Sequence, residues 1–168
     1  MRMRILAIDP GNAESAYVAL DTNYVIYDKG KVPNECLLSV IDLCAGQFPW
    51  MVIERIASYG MPVGRTVFDT CEWIGRFVQK ADELGYDVDY VYRNEEKMAI
   101  CHDARANDAT IRRALIDRFA KHDFRTGKGT KKNPDVFYGF AKDEWAAMAV
   151  GVTWLDRRRE NGGNQGMP

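Results

Sequence analysis

Apolar positions fall into short, near-continuous runs in the first half of the chain and into helical stripes after it. Arg4 to Ile8 is almost wholly apolar, the pattern of a central strand buried on both faces. After the turn Asp9-Pro10-Gly11-Asn12, Ser15 to Asp21 and Tyr24 to Lys31 read as two more strands joined at Thr22-Asn23, an antiparallel meander. Pro33-Asn34 opens a helix to about Cys44 with Leu37, Val40, Ile41 and Cys44 on one face and Gly46 as its stop. Trp50 to Ile53 is another buried strand, and Tyr86 to Tyr92 alternates like one. Between them a helix from Arg65 to Leu84 carries the stripe Val67, Cys71, Ile74, Val78, Ala81. A second stripe, Trp73, Phe77 and Leu84, is wider than one sheet-facing surface needs and suggests a twofold dimer contact. Asn107 or Asp108 caps a helix to Phe119, and Lys142 to Leu155 forms the last one. Lys121 to Phe140, rich in glycine and lysine, reads as a mobile loop. The order is βββαβαβα plus one further helical piece: a single α/β domain over residues 1–158, with 159–168 expected to be a disordered tail.

Composition narrows the class without naming it. The 168 residues suffice for one domain with a sizeable core, and no apolar run is long enough to cross a bilayer. Met1-Arg2-Met3-Arg4 leads straight into the first strand, so no secretory signal is expected and a cytoplasmic location is. Cys36, Cys44, Cys71 and Cys101 lack the close spacing of zinc sites and read as buried free thiols. A net charge of −1 gives no global signal for nucleic acid. Its distribution says more: Arg125, Lys128, Lys131 and Lys132 crowd one loop, Arg55 and Arg65 flank Glu54, and Arg157-Arg158-Arg159 follow the last helix.

Three acidic positions stand out. Asp9 ends the first strand, Glu54 ends the run Trp50-Met51-Val52-Ile53, and Asp143-Glu144 opens the last helix. A carboxylate at the edge of a core element is costly to hold unless something positive neutralises it. Three such sites, each on a rigid element, suggest a converging metal centre. Phosphodiester hydrolysis needs an activated water and charge relief on the leaving oxygen, which two Mg²⁺ ions about 4 Å apart can supply through hard oxygen ligands. Asp9 is the natural bridging ligand, with Glu54 holding one ion and Asp143 the other. Glu144 is the weaker candidate because its side chain points about 100° away around the helix.

The run Ile5-Leu6-Ala7-Ile8-Asp9-Pro10-Gly11-Asn12 resembles the opening strand of the RuvC family of Holliday-junction resolvases, within the ribonuclease H-like superfamily. Met51-Val52-Ile53-Glu54 resembles that family's second acidic strand, and Lys142 to Val150 its terminal acidic helix. The likeness to bacteriophage RuvC-like resolvases extends to the loop Ala57-Ser58-Tyr59-Gly60-Met61-Pro62 and to the Lys/Gly-rich approach to the last helix. It spans nearly the whole chain. The resemblance implies a mixed sheet with flanking helices and Mg²⁺-dependent nicking of four-way DNA junctions by a symmetric homodimer, with Mn²⁺ as a substitute ion. One position departs from it. RuvC proteins usually carry a second acid one turn into the last helix, where this chain has Ala146 or Ala147. Glu144 would have to substitute, or Asp69 or Glu72 from the long helix, or else one ion is held more weakly.

Other features carry less. The segment Gly127-Lys128-Gly129-Thr130 fails the phosphate-loop pattern, because Lys128 is not followed by Ser or Thr and no strand precedes it. Lys128, Lys131 and Lys132 suit DNA backbone contact or a plain solvated loop equally well. Lys142 could meet the scissile phosphate or be a plain surface lysine at a helix start. By the resemblance Tyr59 could stack on bases at the exchange point, the alternative being that it packs under its loop with Met61. Arg55 and Arg65 could contact phosphates nearby. His102 lacks ligand spacing. The competing functions are a ribonuclease H or less selective branched-DNA nuclease, and a junction-binding module with a decayed site. A sugar-kinase or actin-like phosphate binder needs a second domain, for which this length leaves no room.

Overall fold

The computed structural model describes residues 2–163. β1 (Arg4–Asp9), β2 (Glu14–Asp21) and β3 (Ile26–Pro33) form the expected antiparallel meander. β3 starts later than its sequence suggests because Tyr24 turns the chain with a φ of 60°. α1 (Asn34–Cys44) leads into β4 (Trp50–Arg55), then α2 (Arg65–Glu83) into β5 (Asp87–Tyr92). A four-residue helix, α3 (Arg93–Glu96), runs directly into a π-helical turn, Lys97–Cys101. α4 (Asp108–Phe119) and α5 (Lys142–Gly163) complete the chain. The sheet order is β3-β2-β1-β4-β5, with β1, β4 and β5 mutually parallel. This is an α/β domain with a mixed five-stranded sheet.

Strand alternation divides the core into two layers. Ile5 and Ala7 of β1 and Val52 of β4 join the cluster beneath α5 and α4. Leu6, Ile8, Met51 and Ile53 face the opposite way, toward α1 and α2. The central strand is therefore buried on both faces, as its apolar run implies.

Several expectations need correction. α5 continues to Gly163, so residues 159–163 are helical rather than part of a tail, and residues 164–168 lie outside the described residues. The second stripe of α2 packs inward: Phe77 is fully buried, and Trp73 and Leu84 sit against the same α1/α2 cluster. No cysteine is buried; Cys36 and Cys71 are exposed, and Cys44 and Cys101 are half-buried.

The 121–140 segment is held, not loose. The Asp135 carboxylate accepts the backbone N–H groups of Lys121, His122, Asp123 and Val136. Asp123 accepts those of Thr126 and Gly129. Phe137 and Phe140 are buried against Trp145 of α5. Gly129, at a φ of 65°, lies where a Cβ would meet the Asn133 carbonyl oxygen at 2.4 Å.

Candidate active site

Register brings the carboxylates together. Ile8 pairs with Ile53 across the parallel β1–β4 ladder, so Asp9 and Glu54, each one residue further on, are neighbours at the C-terminal edge of the sheet. Both share strand parity with residues that face α5. The next strand repeats the arrangement. Glu54 pairs with Val91 of β5, and Arg93, two residues beyond Val91, points to the same side. Asp9, Glu54 and Arg93 line an open cleft of about 670 Å³, whose opposite wall carries Asp143, Lys142, Trp145 and Ala146 of α5. Asp108, Arg112 and Arg113 of α4 and Arg125 of the following loop complete the rim.

Asp9 and Glu54 are largely buried and their carboxyl groups are in hydrogen-bonding contact. Burial pushes Asp9 up to about 8, reinforced by the charge of Glu54, by the hydrogen bond to it, and by Asp143. Glu54 is raised by its burial, while the bond from Asp9 and the charge of Arg93 oppose that rise. Each carboxyl is thus held above its ordinary range, burial being the largest cause for both.

Behind this pair lies an acid that sequence reasoning missed. Glu96 is fully buried; its Oε2 accepts from Arg93 Nη1 at 2.6 Å, and its Oε1 has no hydrogen-bond partner. Burial and the charge of Glu54 push it up to about 9. Arg93 also pairs with Asp108, so its guanidinium is anchored on two sides. The signal available in the sequence was slight: an Arg and a Glu three apart, immediately after a strand end.

Asp143 faces the cleft, yet its carboxylate is paired with Lys31 Nζ at 2.7 Å. Glu144 does not line the cleft. It is nearly buried, binds Lys29 Nζ at 2.9 Å and accepts the Ala141 backbone N–H, so it caps and fastens the start of α5. The angular offset between consecutive helical residues is the physical reason. Asp69 and Glu72 are on α2 and do not reach the cleft either; Asp69 pairs loosely with Arg65 at 3.9 Å.

The cations divide similarly. Lys142 lines the cleft, and from the basic loop only Arg125 does; Lys128, Lys131 and Lys132 do not. Arg55 stacks on the Tyr90 ring, 4.8 Å from its centroid, and Arg65 is exposed on α2. Tyr59 is 61% exposed with a φ of 45°, at the tip of the loop after β4. His102 ends the π-helical turn in a left-handed conformation.

Among the described residues, no three His, Cys, Asp or Glu side chains are grouped so as to hold a metal ion. The donor chemistry nevertheless fits a hard divalent cation. Two carboxylates fixed in contact on adjacent strands cannot both ionise unless positive charge arrives between them. Across the cleft, Asp143 carries a further carboxylate, here paired with Lys31.

No family model matches the sequence, and no curated protein does. Solved structures do match. RuvC of Thermus thermophilus superposes with a TM-score of 0.66 over 95% of this chain and 97% of that one, at 14% sequence identity. The same protein in complex with a Holliday junction substrate gives 0.67 over 94% and 96%, again at 14% identity. From end to end, this chain has a RuvC-like, ribonuclease H-type fold.

Proposed function

We propose that this protein is a Mg²⁺-dependent, structure-selective endonuclease that nicks four-way DNA junctions, with Mn²⁺ able to substitute. The observation that carries this reading is the buried Asp9–Glu54 contact at the edge of two parallel strands, facing Asp143 across a cleft. Support comes from the fold, since a structural neighbour of equal length is RuvC bound to a Holliday junction. The cleft's five cations, Arg93, Arg112, Arg113, Arg125 and Lys142, suit a phosphate backbone.

In this reading Asp9, Glu54 and Asp143 would be the residues that hold the cation, Asp143 exchanging its pairing with Lys31 for it. When bound, a divalent cation supplies Lewis-acid charge and lowers the cost of deprotonating the attacking water. Lys142 and the arginines fix the scissile phosphate against the carboxylates. Water adds its oxygen to phosphorus, the bond from phosphorus to the 3′-oxygen breaks, and a water proton ends on that oxygen. The products are a 5′-phosphate and a 3′-hydroxyl.

A twofold dimer would present two such clefts to opposed strands of a junction. With Phe77 packed inward, a dimer contact would rest rather on exposed Tyr59, Met61, Val63 and Phe68 around the start of α2. A cytoplasmic setting, in a bacterium or a phage-infected host, goes with this reading. No helix among the described residues is long and apolar enough to cross a membrane.

The Lys31–Asp143 pair and the apolar Ala146 favour a second reading, a junction-binding module without cleavage. One experiment separates the two. A synthetic four-way junction is incubated with Mg²⁺ and either wild type or Asp9→Asn. Paired symmetric nicks that the variant abolishes support the nuclease. Tight binding without nicks in Mg²⁺ or Mn²⁺ supports the module. Equal cutting of unbranched duplex or of RNA–DNA hybrid would point instead to a less selective nuclease or a ribonuclease H.

A further inference from the structure

The cleft is short of acids and carries a fixed cation beside them. Of the α5 residues that line the cleft, Lys142, Asp143, Trp145 and Ala146, only Asp143 is an acid, and Glu144 is committed to Lys29. Of the four carboxylates that line the cleft, Asp108 is engaged by Arg93, and the remaining Asp9, Glu54 and Asp143 are enough ligands for one hard divalent ion and few for two. Arg93 lines the same cleft next to Asp9 and Glu54.

Arg93 is not a side chain free to swing away. Its Nη1 donates to Glu96 Oε2 at 2.6 Å, and its Nη2 is paired with Asp108. Glu96 is fully buried with its other oxygen unpartnered, so withdrawing Arg93 would strand a carboxylate beneath two more. A guanidinium has five N–H donors in a planar fork. Glu96 and Asp108 engage two of them, which leaves donors for a phosphate oxygen.

We infer that the cleft takes a single divalent cation, on Asp9, Glu54 and Asp143, and that the Arg93 guanidinium supplies the second positive charge at the scissile phosphate. Glu96 is the positioning residue that holds Arg93 there. This inference rests on the nuclease reading above. Arg93 takes the role a second ion would have, and its charge excludes that ion. Ala146 is then consistent with the site, since an acid there would have no ion to bind. Removing the pair as Arg93→Gln/Glu96→Gln slows nicking at saturating Mg²⁺ about 100-fold, the scale of losing one charge-stabilising donor.

The test counts Mn²⁺ per chain by electron paramagnetic resonance on DNA-free protein. Wild type, Ala146→Asp and the triple variant Arg93→Gln/Glu96→Gln/Ala146→Asp are compared, with Asp9→Asn as the site control. One ion in wild type and in Ala146→Asp, two in the triple variant and none in Asp9→Asn is the expected result. Two ions in wild type or in Ala146→Asp would overturn the inference while leaving the nuclease reading intact. So would a folded triple variant that still binds one. If the triple variant does not fold, the Ala146→Asp count decides. No ion in wild type, or an ion retained in Asp9→Asn, would overturn the metal-nuclease reading and this inference with it.

Discussion

Gly151 of α5 lies against Ala7 of β1: a Cβ at position 151 would stand 3.1 Å from the Ala7 Cβ and 2.9 Å from Leu20 Cδ2. The helix backbone thus rides directly on the strand that ends in Asp9. Two turns back along the same helix is Asp143, so this close approach sets the width of the cleft between the two carboxylates.

Gly151→Val is therefore expected to lift α5 from the sheet. Overpacking of this kind costs about 1–3 kcal/mol, and each kcal/mol lowers Tm by roughly 2–4 °C in a chain of this size. Thermal melting reads the loss, and nicking should fall further than the remaining folded fraction explains. A variant with unchanged Tm would show that the contact is not tight.

The Asp9–Glu54 contact makes stability depend on pH in a definite direction. Asp9 titrates at about 8 when folded and near 3.8 when not. Between those values the folded chain keeps a proton that the unfolded chain has lost, so cation-free stability falls as pH rises across the window. Glu96, held at about 9, acts in the same direction. Melting at pH 5 and pH 8 should show the decline, with a shallower one in Asp9→Asn. Mg²⁺ should raise Tm more at pH 8 than at pH 5, because at pH 5 it competes with the proton. Equal Mg²⁺ shifts at both pH values would remove the carboxylate pair from the binding site.

Lys31 competes for Asp143. The pair is exposed and lies at 2.7 Å, with Glu14 a second partner of the same lysine at 3.4 Å. Lys31→Ala should tighten Mn²⁺ binding several-fold, the scale of one exposed ion pair. Calorimetric titration measures it; weaker binding would mean that the lysine helps to place Asp143.

Asp135→Asn should open the 121–140 segment. The asparagine oxygen accepts fewer of the four backbone N–H groups, and the charge that strengthens those bonds is gone. Limited proteolysis should then cut within this segment before the rest of the chain, and unaltered resistance would assign its order to Phe137 and Phe140 instead.

That segment shows where sequence reading stops. Glycine and lysine content marks 121–140 as loose, yet its order comes from two aspartates collecting backbone donors, which composition does not display. The phenylalanines were the visible hint. β1 and β4 are legible for the opposite reason: buried strands in a parallel pair must be apolar throughout, so a terminal Asp9 or Glu54 stands out. Arg93 and Glu96 are not legible. A four-residue helix running into a π-helical turn is too short for any period to show, and Arg-Asn-Glu-Glu-Lys looks like solvated surface. The helix that carries Glu96 packs on α5, far along the chain, which no local pattern announces.

The edge strand β3 reaches the start of α5 twice, Lys29 taking Glu144 and Lys31 taking Asp143. Two adjacent acids on one helix have fixed angular separation, so pinning the first dictates the heading of the second. Glu144 thus acts as the index mark of the helix, and Asp143 is aimed by it. Exchanging the two residues would leave the composition and charge of the turn intact, yet the longer side chain would now face the cleft and the shorter one would have to span the distance to Lys29. Rotational phase, rather than the number of acids, is what this turn encodes.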